Sequence, residues 1–195
     1  MIIINNLIKQ YNKNKVLDVS YIEIKKSGLY IFSGINGSGK STLLKLLSKN
    51  IFKTSGNIDL TGSISYLPDK FSLPPLINVN TYLKHISSLY QIDSSYKDLV
   101  SAFELPNKKI SSLSKGNLQK LGIIQALINP TDIYIFDEPL DGLDEGSKKL
   151  FKQLIKQKIE DGKIIIMSLH VKTLFNDLKP ILYNVKDGNI YEKKK

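Results

Sequence analysis

The 195-residue chain predicts an α/β fold with a mostly parallel sheet, an N-terminal antiparallel β layer and a helical insertion. Three observations predict it. Residues 133–136 and 164–167 are unbroken apolar runs, the first preceded by Asp132, the pattern of strands buried on both faces. Between them, residues 147–160 form an amphipathic stretch of helical period, closed by Gly162. A third apolar run, Leu29-Tyr30-Ile31-Phe32, leads into a glycine-rich turn and then into the helix-permissive Leu43-Leu44-Lys45-Leu46-Leu47. Strands and helices alternating in this way imply parallel strands covered by helices on both faces.

Short apolar runs at 2–7, 16–17, 21–24 and 29–32, separated by turns, read as a small β layer that feeds the glycine-rich turn. A helix follows over 40–48, then a short β stretch over 57–60 and 63–67, after which Pro68, Pro74 and Pro75 break regular structure. The period then changes. Tyr82, Leu83, Ile86, Leu89 and Tyr90 share one helical face, as do Tyr96, Leu99, Val100 and Phe103. Ser95 with Asp98 makes a capping box for the second of these helices, and Pro106 lies past its end. Residues 76–128 thus read as a helical insertion between the core segments 1–75 and 129–195 of a single domain, the length being too short for two ordinary ones. Near the end, 181–183 and 189–191 flank Asp187-Gly188, a hairpin turn, and the last four residues form a solvated, frayed tail.

Composition removes several function classes. Hydrophobic residues at 42% and charged residues at 24% exclude a disordered chain. With no cysteine, neither a disulfide framework nor a thiolate metal site is possible. The net charge of +10 comes from lysine alone, because the chain has no arginine, and bidentate guanidinium contacts to guanine or phosphate are therefore unavailable. The lysines are scattered rather than clustered with aromatics, so the expectation is a solvated basic surface and no direct nucleic-acid contact. There is no run of about 18 apolar residues and no secretory pattern at the amino terminus, which predicts a cytoplasmic location.

The glycine-rich turn carries the chemistry. Gly34-Ile35-Asn36-Gly37-Ser38-Gly39-Lys40-Ser41-Thr42 fits G-x-x-x-x-G-K-[ST], in which a nest of backbone N–H groups and a helix start cradle nucleotide phosphates. On this reading the Lys40 ammonium reaches the β- and γ-phosphates, the Ser41 hydroxyl ligates Mg²⁺ and the Thr42 hydroxyl faces the α-phosphate. Asp137 and Glu138 follow four apolar residues, at the carboxyl end of a buried strand where ligands of open α/β sheets bind. Asp137 is placed to hold the Mg²⁺ water shell, and Glu138 to polarise a water for in-line attack on the γ-phosphate. His85 stands alone in its helix and reads as a surface or packing histidine. Asn107-Lys108-Lys109-Ile110 lacks the aspartate of a guanine reader.

With these residues in place, nearly the whole chain resembles the ATP-binding cassette (ABC) ATPases, a family of P-loop NTPases. Asp137-Glu138-Pro139-Leu140-Asp141-Gly142-Leu143-Asp144 looks like the family's Walker B, catalytic glutamate and D-loop, with Asp144 at the D-loop aspartate. Leu113-Ser114-Lys115-Gly116-Asn117 looks like the signature L-S-G-G-Q, His170 matches the switch histidine, and Tyr11 matches the aromatic that stacks on adenine. Ser114 and the Gly116 backbone precede a helix expected near Asn117, a second anion-binding helix start. Four positions depart from the pattern: Asp69 stands for the Q-loop glutamine, where it can accept from Mg²⁺-bound water, Lys115 for the first signature glycine, Asn117 for the signature glutamine, and Lys120 for a common arginine.

The resemblance implies an ATPase that binds ATP and Mg²⁺ and dimerises head to tail, as a homodimer or with another ABC ATPase, the Ser114-Gly116 segment of one subunit closing over ATP in the other. It further implies a separate transmembrane permease subunit whose coupling helix meets residues 69–80, a peripheral place on the inner face of the membrane, and, from the altered signature, export of a peptide or drug-like substrate. The alternative is a non-transporting cassette acting as an ATP-gated clamp on nucleic acid or ribosome. A third reading, dimerisation on ATP without turnover, is opposed by Glu138 and His170.

Overall fold

A computed structural model describes residues 1–92, 96–170 and 173–193. Ser95 of the expected capping box and the last two residues of the tail lie outside the described residues. A six-stranded sheet forms the centre of the molecule, in the order β5 (Ile64–Leu67), β6 (Ile133–Asp137), β7 (Ile164–Ser168), β3 (Gly28–Ser33), β8 (Ile181–Lys186) and β9 (Asn189–Glu192). All neighbours are parallel except the β8–β9 hairpin, which turns at Asp187 and Gly188, both with positive φ, as a two-residue turn of this type requires. A separate antiparallel sheet has the order β2 (Asn14–Ile24), β1 (Ile2–Tyr11), β4 (Ser55–Leu60).

The two-residue period of the central strands sorts their side chains onto two cores. Tyr30, Phe32, Ile133, Ile135, Ile164 and Ile166 pack with Leu43, Leu44, Leu46 and Leu47 of helix α1 (Lys40–Leu47) and with the antiparallel sheet. Leu29, Ile31, Tyr134, Phe136, Ile165 and Met167 face the other way. There they meet α4 (Lys115–Ile128) and α5 (Glu145–Glu160), with α2 (Val79–Leu89) and α3 (Tyr96–Ala102) packed beyond. Phe151 of α5 joins this second core through edge contacts to Phe136 and Phe175, with ring centroids 5.2 and 6.3 Å away.

Four expectations are corrected. Residues 16–17 and 21–24 are parts of one strand, β2, which pairs with β1 along its length. Strict alternation fails there because the inward face changes from Leu17 and Val19 to Ile22 and Ile24, opposite Asn6 of β1, whose φ is 48°. The β stretch at 57–67 divides between the two sheets, β4 joining the antiparallel layer and β5 the edge of the parallel sheet. Helix α5 starts at Glu145 rather than Ser147, because the Asp144 side chain caps it. Helix α4 starts at Lys115 rather than near Asn117, with Ser114 Oγ accepting from the Asn117 N–H at 3.2 Å.

Phe151 is fully buried and touches aromatic rings on two sides. Phe151→Ala is expected to destabilise the fold by about 3–5 kcal/mol through lost burial and an unfilled cavity. Chemical denaturation of parent and variant measures this as a lower midpoint at unchanged slope.

Candidate active site

Residues 34–39 join β3 to α1 in a sharp turn, within which the Ser38 N–H donates to the Ile35 carbonyl at 3.2 Å. Gly37 has φ 79° and Gly39, at the helix cap, φ 108°, a conformation that costs glycine nothing and other residues strain. Gly34 is required for a different reason: a Cβ there would sit 2.2 Å from the Val185 carbonyl oxygen of β8. The β8–β9 turn supports the same loop, Gly188 N–H donating to the Ser38 carbonyl at 3.3 Å. Lys40 is buried and folds back over the loop, its Nζ donating to the Gly34 and Ile35 carbonyls at 2.9 and 3.2 Å. The ammonium is thereby held over the loop.

Beside this loop, β6 ends at Asp137 and β7 at Ser168. Asp137 is 1% exposed, and its Oδ1 accepts from the fully buried Ser168 hydroxyl at 2.5 Å. Glu138 has a left-handed backbone, φ 49°, and its N–H donates to Ser168 Oγ at 2.9 Å. Burial pushes the Glu138 carboxyl above the usual range, with Asp137 and Asp141 adding to the effect and His170 and Lys40 opposing it. His170, two residues past β7, brings Nε2 within 3.3 Å of Glu138 Oε1. Ser38 Oγ and Glu138 Oε1 are nonetheless buried polar atoms with no hydrogen-bond partner among the described residues. Buried polar groups left this way beside a cavity are open to a partner from outside the chain, water included.

The cavity is about 540 Å³, the size of a small-molecule site. Tyr11, Asn36, Gly37, Gly39, Lys40, Ser41, Thr42, Asp69, Glu138 and His170 all line it, so ten of the sequence-predicted residues meet at one place. Gly34, Ser38 and Asp137 stand behind that surface as its support. Tyr11 is 46% exposed at the rim, with Lys9 Nζ 4.4 Å from its ring centroid.

Ser114 and Gly116 are not part of the lining. They belong to the start of α4, which is fastened to the 138–144 loop at three points. A Cβ on Gly116 would lie 2.5 Å from the Gly142 carbonyl oxygen, Gln119 Nε2 donates to the Pro139 carbonyl at 3.1 Å, and Lys120 Nζ pairs with Asp144 Oδ2 at 2.9 Å.

A family model described as "ABC transporter" matches residues 17–141, more than half of the chain. The chain belongs to the ABC transporter family. An uncharacterized ABC transporter ATP-binding protein of Methanocaldococcus jannaschii is 34% identical over 175 residues, 86% of this chain and 67% of that protein. The lantibiotic transport ATP-binding protein SrtF of Streptococcus pyogenes is 30% identical over 203 residues, 97% of this chain and 89% of that protein. Among solved structures, a dimeric post-hydrolysis ATP-binding cassette bound to ADP and Pi superposes with a TM-score of 0.86 at 24% identity, covering 100% of this chain and 98% of that one, which shows the fold. This ABC protein binds ATP and is an ATPase.

Sequence reasoning left four contributors unassigned. Val16 and Asp141 line the cavity of the ABC ATPase, Ser168 joins its two acidic residues, and Gln119 holds the carbonyl that follows Glu138. Asp141 lies inside the quoted D-loop motif, and its position one turn from Glu138 was the available signal. The others depend on contacts between distant segments.

Asp144 ties the D-loop to α5. Hydrogen bonds from the Ser147 backbone N–H, the Lys120 ammonium and the Ser147 hydroxyl hold its carboxyl well below the usual aspartate range. A depressed pKa contributes stability above the unfolded-state value and loses it as pH falls. Asp144→Ala is therefore expected to cost about 1 kcal/mol at pH 7 as a lost cap. The difference from the parent should begin to shrink once pH drops below the ordinary aspartate value of about 3.9. Urea titrations across that range measure it.

Proposed function

We propose that this ATPase pairs head to tail with a second cassette, identical or related, and drives a separate transmembrane permease that exports a peptide or drug-like substrate. The observation that carries the reading is the one-sided cavity: ten candidate residues line it while Ser114 and Gly116, on the same chain, lie outside it. Both precede or open the first turn of α4, and Ser114 is exposed. A helix start with exposed N–H groups suits phosphate, and a second copy supplies one. The dimeric state of the ADP- and Pi-bound cassette of like fold supports this pairing, and SrtF, named for lantibiotic transport, supports export.

No helix among the described residues is long and apolar enough to cross a membrane, which fits a catalytic subunit working beneath a permease at the cytoplasmic face. Between the sheet and α2, Leu76 is 78% exposed after Pro74 and Pro75, in the segment 69–80 that would receive the permease's coupling helix.

In the mechanism this supports, the 34–39 backbone and Lys40 bind the phosphates, Thr42 faces the α-phosphate and Tyr11 stacks on adenine. Glu138 orients a water and accepts its proton. Burial raises the basicity of that carboxylate, which lines the cavity. His170, close to Glu138, contacts the γ-phosphate and reports its presence. Mg²⁺ fits the donor set, since the Ser41 hydroxyl and, acting through water, Asp137 and Asp69 are hard oxygen ligands that would hold it, and when bound it would supply charge neutralisation to the nucleotide's phosphates. Such a cation would offset the three carboxylates, Asp69, Glu138 and Asp141, that line the cavity beside Lys40 and His170.

Glu138→Gln should keep ATP affinity, lose about 10²–10⁴ in kcat and accumulate as an ATP-bound dimer. Steady-state hydrolysis and light scattering with Mg²⁺ and ATP read both effects, with Lys40→Ala as the variant that loses nucleotide uptake. A Glu138→Gln protein that turned over at the parent rate, or stayed monomeric with ATP, would remove the proposal. Co-purification of a multi-span membrane protein with the tagged chain tests the permease.

A further inference from the structure

Ser168 is the last residue of β7 and has no exposed surface. A hydroxyl offers one donor and two acceptor positions. Here the donor goes to Asp137 Oδ1 at 2.5 Å and an acceptor position receives the Glu138 N–H at 2.9 Å. The Ser168 carbonyl takes a second, longer contact of 3.3 Å from the same N–H. One buried side chain thus grips two consecutive acidic residues, each by a different group.

Those grips fall where the backbone needs holding. Glu138 adopts φ 49°, a left-handed conformation that residues other than glycine keep only when their surroundings impose it. The peptide N–H bound by Ser168 belongs to that residue. Packing alone gives no reason for a hydroxyl here, since the residue is wholly enclosed and the neighbouring Met167 and Leu169 are apolar core residues. Alanine would fill nearly the same space and leave a buried carboxylate oxygen without its donor.

We propose that Ser168 is a positioning residue for ATP hydrolysis: its hydroxyl fixes the Asp137 carboxylate by one oxygen, leaving Oδ2 for the metal's water shell, and clamps the Glu138 peptide so that the carboxylate points at the attacking water. This rests on Glu138 and Asp137 acting as set out above. Ser168 acts through them and touches no reacting atom. Its place on β7, two residues before His170, puts all three polar groups of the γ-phosphate end on one rigid support.

Purified full-length parent, Ser168→Ala, Ser168→Thr and Glu138→Gln are compared for kcat and KM, for the Mg²⁺ concentration giving half-maximal rate, and for affinity toward trinitrophenyl-ATP in EDTA. Ser168→Ala is expected to lower kcat about 10- to 100-fold with KM changed by less than about twofold. It should raise the Mg²⁺ requirement, leave metal-free affinity as in the parent, lower the thermal midpoint only modestly through the carboxylate oxygen left without its donor, and be largely rescued by Ser168→Thr, which restores the hydroxyl. A Ser168→Ala protein with parental kcat and Mg²⁺ requirement, tested beside an inactive Glu138→Gln, overturns the positioning role alone. Loss of metal-free affinity and thermal midpoint in step with kcat makes Ser168 a packing residue and overturns it too. Parental turnover by Glu138→Gln instead removes the catalytic reading beneath it.

Discussion

The register of three parallel strands is the constraint on which the site depends. Phe32 of β3, Ser168 of β7 and Asp137 of β6 lie side by side, and the ladder runs one step past them through Leu169 N–H to the Phe32 carbonyl and Glu138 N–H to the Ser168 carbonyl. The phosphate loop, the paired acids and His170 therefore leave the sheet at one level. Side-chain alternation then fixes the face: Asp137 continues the Ile133 and Ile135 set, which packs on the α1 side, so its carboxylate is directed to the side where Lys40 and Ser41 begin that helix. A slip of one residue would displace the acids by about 3.3 Å and turn Asp137 to the opposite core.

Charge balance within the cavity follows from which side chains reach it. Lys40 is the fixed cation in the lining, set against Asp69, Glu138 and Asp141. The chain has no arginine, so in the proposed site phosphate recognition would fall to a point charge and to main-chain N–H groups. That division suits the geometry, because backbone donors held by Gly37 and Gly39 do not depend on a long side chain finding its place. The carboxylates cannot ease the approach of a triphosphate. Burial raises the Glu138 carboxyl, with Asp137 and Asp141 adding to the effect against the opposing pull of His170 and Lys40.

The phosphate loop, both buried strands and the hairpin at Asp187-Gly188 were legible in sequence because each is specified locally, by glycine at positive φ, by apolar runs or by turn residues. The same holds for Lys40, Ser41, Glu138 and His170, whose spacing alone suffices to nominate them. What was not legible depends on partners far apart in the chain. The unity of β2 is set by a change of face opposite Asn6, and nothing in residues 14–24 taken alone announces it. The role of Gly34 against Val185, 151 positions later, and of Ser168 against Asp137 is invisible until the sheet is assembled. Helix starts were misplaced at Asn117 and Ser147 for a related reason: the apolar period begins inside the helix, whereas the caps Ser114 and Asp144 are polar residues ahead of it.

The fastening of α4 to the 138–144 loop explains how departures from the family pattern are absorbed. Lys115 replaces a signature glycine, and its side chain runs along Gly142, where even a Cβ would meet it only at ordinary van der Waals distance, 3.5 Å. Gly116 is retained where the Gly142 carbonyl leaves no room for a Cβ. Lys120, in place of arginine, gives a single ammonium contact to Asp144 where a guanidinium could give two, and Gln119 adds a buried contact to Pro139 one residue from Glu138. The start of α4 and the catalytic loop are consequently one packed body. In a head-to-tail pair, the element that seals one nucleotide would be rigidly continuous with the carboxylate that acts on the other, so each closure would set the geometry of two sites rather than one.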